Sequence, residues 1–315
     1  KKKRADLLEW GIGFAANVPV DTNGLEFAVS GVFGGFESQF SLLPYYHKVN
    51  EYVNAESRDL WEYNLTLSRE QTLSLVRHIW EIETNSHFFY YFFDENCSYQ
   101  LMTVLEVARP DWILSDFGPH VIPAETVKRV VSVPGAVESV NFRPSLKRKA
   151  IERYSLLSDE ERQRFNALLS GTATPNEEDP APVLESVSTF LQFRKQLNDG
   201  QLSPEDSRTL SRALIARSHL GVVPAAQRLA GAIPTSFVET RPEVGHGPYV
   251  IGTSAGISTV GSDTQYAQYF QEFHFKFAYH DLLNNDRGYG RYSHIDFPNF
   301  AFRYYAKDNR LSLDR

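Results

Sequence analysis

Cysteine and methionine are each used once in the 315 residues of this chain. A single thiol cannot close an internal disulfide, so no cross-linked framework carries the fold and the redox compartment is left open. Basic charge is short as well: 32 Lys and Arg stand against 39 Asp and Glu, for a net charge of −7 and a pI near 5.8. Without an overall basic field nucleic acid is not expected as a partner, and a substrate has to be held by local chemistry. No stretch approaches the roughly 18 apolar residues of a membrane-spanning helix, and no signal peptide is visible. The glycines between positions 31 and 35 lack the spacing and following helix of a phosphate loop or dinucleotide fingerprint, so no cofactor is expected. His280-Asp281 has no second pair to complete a ligand set, so no metal is expected either. The lone methionine is Met102, from which the chain is expected to be processed or a piece of a longer protein, open at both ends.

What the chain has is enough apolar material, 42% of residues, to build two or three cored domains. Its most informative feature is the single cysteine in Asn96-Cys97-Ser98-Tyr99, which follows the aromatic run His87-Phe88-Phe89-Tyr90-Tyr91-Phe92-Phe93. Leu101, Val104, Leu105 and Ala108 recur at helical spacing and stop before Pro110, which predicts a helix opening at Cys97 with Asn96 as its N-cap. A thiol in the first turn of a helix faces unpaired N–H groups and the positive end of the dipole, which favour the thiolate. The competing reading is a small buried hydrophobe.

Residues 10 to 138 read as mixed α and β. Gly11 to Val20 and Leu25 to Val32 are apolar segments joined by Asp21-Thr22-Asn23-Gly24, which reads as a hairpin turn. Ser68-Arg69-Glu70-Gln71 is a capping box before an amphipathic helix reaching about Glu83. From about 145 to 225 the texture is helical and charged, with a capping box at Ser158, a start at Ser203-Pro204, and stops at Gly171 and Gly221. The last part changes to period two: Phe273, Phe275, Phe277 and Tyr279 alternate with Glu272, His274, Lys276 and His280. That pattern fits either a one-sided soluble sheet or strands of a membrane barrel whose aromatic face meets lipid.

A cysteine nucleophile needs a base, a group to orient the base, and donors for an oxyanion. None of the nine histidines is placed convincingly by sequence. His47 lies in an aromatic loop, His78 reads as a surface residue, His87 as a packing or capping residue, and His274, His280 and His294 belong to the strand region. Arg58 and Trp61, in Arg58-Asp59-Leu60-Trp61-Glu62-Tyr63, are candidate substrate contacts, Arg58 through a bidentate bond to a carboxylate or phosphate. A salt-bridged strand entry is the structural alternative.

Four ordered motifs carry a family resemblance: Gly31-Val32-Phe33-Gly34-Gly35-Phe36; Pro44-Tyr45-Tyr46 with Lys48-Val49; the Arg58 to Tyr63 run; and Phe92-Phe93-Asp94-Glu95-Asn96-Cys97-Ser98-Tyr99 with Leu101. Together they resemble the Lnb N-terminal periplasmic domain family, over about the first 140 residues. The resemblance implies an α+β fold of the permuted papain-like type, with Cys97 as nucleophile, Asn96 and Ser98 in its motif, and Tyr99 beside it for substrate. It also implies a catalytic histidine upstream of the segment that Gly11 to Val20 represents, before this chain begins. The tail from Pro242 through Gly245-His246 to Leu282 is similar to the C-terminal region of longer members of the family, which looks like an outer-membrane barrel.

The expected organisation is a papain-type domain over 1–140, a helical spacer over 141–238, and a β-rich region over 239–315 whose antiparallel strands would begin an outer-membrane-type barrel. The resemblance implies a thiol acyltransferase-like protein of the bacterial periplasm, associated with the outer membrane through its C-terminal region. It would move an acyl group from phospholipid or lipoprotein through a Cys97 thioester. The alternatives are a cysteine peptidase or amidase of the same fold, which resolves the thioester with water, and a non-catalytic envelope binding or structural protein.

Overall fold

The computed structural model describes residues 8–118, 120–222, 241–260, 263–290 and 292–313. The fold is mixed α+β, and among the described residues its sheets are antiparallel and none is closed into a barrel. A three-stranded sheet has the order β1-β2-β4, from Trp10–Ala16, Phe36–Pro44 and Phe88–Tyr90. A two-stranded sheet pairs β3, Leu60–Leu65, with β5, Val137–Arg143. A four-stranded meander, β6-β7-β8-β9, is built from Val250–Val260, Asp263–His280, Ile295–Tyr305 and Arg310–Leu313.

The chain resolves into two compact units. The first comprises Lys1–Gly13, Phe40–Thr66 and Val137–Ile233; the second comprises Phe14–Gln39, Leu67–Ala136 and Pro234–Arg315. In the first unit the helices α6, Leu146–Ser155, α7, Asp159–Leu169, α8, Ala181–Leu197, and α9, Pro204–His219, bury a common core. Leu168, Val183, Leu184, Val187 and Leu191 are completely enclosed there. Two of these starts, those of α7 and α9, are the ones the sequence marks: the Ser158 side chain accepts from Glu161 N in a full capping box, and Ser203 accepts from Asp206 N with Pro204 in the first turn. Gly171 and Gly221, just past two of the ends, have the positive φ that favours glycine there.

The second unit holds α1, Gly24–Phe33, α3, Arg69–Asn85, α4, Cys97–Ala108, and α5, Pro123–Ser132, with the β6–β9 sheet; α2, Tyr45–Val49, belongs to the first. The hairpin expected around Asp21-Thr22-Asn23-Gly24 is not formed. Leu25 to Val32 lies inside α1, and Asn23 is its N-cap, accepting from Glu26 N at 2.9 Å. Asn-Gly serves a tight turn or a helix start equally well, and a short apolar run broken only by Glu26 and Ser30 shows no two-residue alternation that would mark a strand. Gly34 ends α1 at φ 74°, where a Cβ would come within 2.3 Å of the Tyr91 ring, so only glycine fits.

Candidate active site

Asn96 organises the start of α4. Its side-chain oxygen accepts from Ser98 N at 3.1 Å, Tyr99 N at 3.2 Å and the Ser98 hydroxyl at 2.7 Å. Its amide nitrogen donates to Val121 O at 2.7 Å and Phe92 O at 3.2 Å. With only 3% of its surface exposed, Asn96 therefore has every polar position engaged and clasps three separate backbone stretches. Val121 N in turn donates to Phe93 O at 2.5 Å, closing the clasp from the other side.

Cys97 is the first residue of α4 and is partly exposed. Because the Ser98 and Tyr99 amides are spent on Asn96, and Gln100 N donates to Asn96 O at 3.1 Å, the amide of Cys97 itself is the first-turn donor not committed to the cap; it faces the Tyr90 hydroxyl. The neighbouring group is Tyr90, at the end of β4. Burial, reinforced by the charge and hydrogen bonding of the Cys97 side chain, pushes the Tyr90 hydroxyl up to about 12, while the Cys97 backbone amide pulls the other way. Tyr90 is thus a neutral O–H at any physiological pH, set against both the sulfur and the amide of Cys97. Its place is fixed by β2, where Phe36 pairs with Tyr90 and Ser38 with Phe88.

Residues 1–133 match the Lnb N-terminal periplasmic domain. Residues 239–315 match a domain of unknown function, DUF7840. No curated protein and no solved structure matches the chain. The Lnb match makes this a periplasmic, envelope-associated protein. Among the described residues no helix is long and apolar enough to cross a membrane.

Within the Lnb domain the structure brings Asn96, Cys97, Ser98 and Tyr99 together at one helix start; Arg58 and Trp61 belong to the other unit. Arg58 is 67% exposed at its side chain, paired with Glu56 at 2.8 Å and lying over the Tyr52 ring. Trp61 stacks against Phe142 at 4.3 Å on the paired strand β5. Asp59 accepts from Ser145 N and binds Arg148, and Glu62 accepts from the Tyr45 hydroxyl and binds Arg143. The motif around Arg58 therefore ties the β3–β5 pair to its flanks, the salt-bridged strand entry anticipated as its structural alternative.

Among the described residues no histidine is hydrogen-bonded to Cys97. His47 stacks on Tyr46 at 4.3 Å in the first unit. His280 is fully buried, with its Nδ1 3.0 Å from His246 Nε2 and its ring 3.9 Å from that of Tyr289. Asp281 accepts from the Tyr279 hydroxyl and from the Leu283 and Asn284 amides, which occupies its carboxylate in a turn. Among the described residues no cluster of three or more His, Cys, Asp or Glu has the geometry to hold a metal.

Sequence reasoning passed over His120. Both its ring nitrogens are buried without a hydrogen-bond partner, and burial holds its pKa below the ordinary value. Its ring is edge-on to Tyr249 at 4.6 Å and to Phe277 at 4.7 Å. It directly precedes Val121, whose carbonyl Asn96 holds. No periodicity or motif marks it, since the rings that enclose it come from far along the chain.

Proposed function

We propose that this protein is a cysteine-dependent acyltransferase of the cell envelope in which Cys97 carries the acyl group. The observation that carries the reading is the start of α4: a partly exposed lone thiol at the first helical position, a fully satisfied Asn96 cap, and a Cys97 amide that the cap leaves uncommitted and that faces the Tyr90 hydroxyl. In the first half-reaction the Cys97 thiolate attacks the carbonyl carbon of a lipid or lipoprotein ester. A C–S bond forms, the C–O bond breaks, and the alkoxide leaves, taking a proton from water that the amine gives back in the second half-reaction. In the second half-reaction an amine attacks the thioester, forming an amide and returning the thiolate.

The Cys97 amide is the donor this helix offers to the tetrahedral oxyanion, and the Tyr90 O–H is placed to add a second. Asn96 and Ser98 act through position, since their polar atoms are committed to the cap. Tyr99 is the substrate contact on the helix itself, while Arg58 and Trp61, in the other unit, engage Glu56 and Phe142.

Membrane association through the C-terminal region belongs to the same proposal and is supported by the polarity of the β6–β9 sheet. Ser254, Glu272, Arg303 and Ser312 form one row across all four strands, with Glu272 and Arg303 in an ion pair at 2.6 Å. The adjacent row, on the opposite face, is Thr253, Phe273, Phe302 and Leu313. Glu272 and Arg303 keep 16% and 26% of their side-chain surface, whereas Phe273, Phe302 and Leu313 are exposed at 45%, 41% and 60%. A sheet that shows water its rings and shelters its charges is inverted relative to a soluble one and suited to hydrocarbon on the aromatic side.

The test is incubation of the full chain with a diacylated lipoprotein peptide and phospholipid, followed by mass spectrometry. Acyl-peptide product, lost in Cys97→Ser, is expected. Free fatty acid or cleaved peptide without acyl transfer would move the protein to the hydrolase class, and no Cys97-dependent product would remove the enzymatic reading. Flotation with neutral phospholipid vesicles tests the sheet: binding is expected, and its loss in Phe273→Glu/Phe302→Glu; failure of the unmodified chain to float refutes membrane association.

A further inference from the structure

We infer that Phe277 and Tyr249, from the C-terminal region of unassigned function, are positioning residues for the Cys97 site. This inference rests on the reading of Cys97 as the reactive group. Phe277 lies on β7 and touches two rings of the Lnb domain at once. Its ring is 6.3 Å from that of Phe93 and 4.7 Å from that of His120, while Tyr249 closes on His120 from another side at 4.6 Å. Phe93 and His120 flank the two halves of the clasp around Asn96. Phe93 O accepts from Val121 N, and Val121 O accepts from the Asn96 amide, whose oxygen caps the helix that starts at Cys97.

The contact path from the C-terminal sheet to the nucleophile is therefore short and made of packed rings and backbone hydrogen bonds, with no long flexible side chain in it. His120 itself makes no hydrogen bond through either ring nitrogen, so its position depends on the rings around it. A second tether lies alongside: Lys128 on α5 donates to His246 O at 3.1 Å, and the Tyr289 hydroxyl donates to the same oxygen at 3.2 Å. Removing Phe277 opens one wall around His120 and one side of Phe93 together, which frees Val121 and with it the Asn96 cap.

The experiment uses the full chain and three variants, Phe277→Ala, Phe277→Tyr and Tyr249→Ala. Two quantities are read: the pH profile of Cys97 alkylation by iodoacetamide, and hydrogen exchange at the amides of Ser98, Tyr99 and Val121. Phe277→Ala is expected to speed exchange at these amides by about tenfold, as a locally loosened cap would, and to shift the alkylation profile. Phe277→Tyr, which keeps the ring, restores both. If Phe277→Ala does not fold, as judged by circular dichroism, Tyr249→Ala, at a half-exposed position, carries the same expectation in weaker form. A folded variant with unchanged exchange and an unchanged alkylation profile overturns the inference. The acyl-transfer assay keeps the two ideas apart: a coupled but inactive Cys97 sinks the enzymatic reading alone, and an active Cys97 indifferent to Phe277 sinks this one alone.

Discussion

Replacing Asn96 by Ala removes two things at once, and their sizes follow from the geometry. The cap oxygen receives the Ser98 and Tyr99 amides, and loss of such a cap costs about 1 kcal/mol. The amide nitrogen donates to Val121 O at 2.7 Å in a buried setting, and leaving that carbonyl unpaired costs about 2 kcal/mol more. Asn96→Ala should therefore destabilise the second unit by about 3 kcal/mol. The assay is urea unfolding followed by tryptophan fluorescence, to which Trp112, 4% exposed in the same unit, contributes a buried reporter. Asn96→Asp separates the two parts: it keeps the acceptor for the helix amides, but its carboxylate faces Val121 O and Phe92 O where a donor stood. Protonation supplies a donor again, so the Asp variant should gain on the Ala variant as pH falls. A cost below about 0.5 kcal/mol for Asn96→Ala, the size of an ordinary surface change, would refute the clasp as the organiser of this site.

Two further predictions concern pH. At the alkaline end, Tyr90 keeps its proton in the folded state up to about 12, whereas an unfolded tyrosine loses it near its ordinary value of 10.0, so the unfolded chain binds fewer protons between those limits. Its contribution is complete below the unfolded pKa and is lost as pH rises through the folded one; Tyr90→Phe should flatten the stability profile over that interval in urea titrations, and an unchanged slope counts against the placement of Tyr90 beside Cys97. At the acid end, burial lowers the pKa of His120 and of His280, so below the ordinary value of 6.5 the unfolded chain takes up protons that the folded rings refuse, and stability falls with pH. His120→Phe should remove part of that acid slope and leave the His280 part; a slope as steep as that of the unmodified chain would mean that His120 is not held neutral.

The parts of this fold legible in the sequence are those determined within a few residues. Ser68, Ser158, Ser203 and Asn96 each accept from an amide two or three residues on, and a side chain that must cap locally announces itself locally. The nucleophile candidate was visible for the same reason, since Asn96, Cys97 and the apolar spacing behind them lie in one short stretch. His120 shows the opposite case. Its chemistry is set by Tyr249 and Phe277, and no pattern near position 120 encodes rings so distant in sequence. The partners of Arg58 and Trp61 were illegible for a related reason: a charged and aromatic cluster does not announce that Glu56 and Phe142 engage it.

The C-terminal strands make the same point about faces. Alternation of Phe273, Phe275 and Phe277 with Glu272, His274 and Lys276 requires two unlike faces, and period two says nothing about which of them is sheltered. Register and exposure supply that missing quantity. Gly252 sits opposite His274, where a Cβ would come within 2.1 Å of the imidazole, so the polar face is crowded enough to demand glycine. A soluble one-sided sheet would reserve that crowding for its aromatic rows, because burial of apolar area is what stabilises it. Here the crowding and the Glu272–Arg303 ion pair share the polar face, and aromatic rings fill much of the exposed one. That inversion is the physical ground on which we propose that the aromatic face meets hydrocarbon.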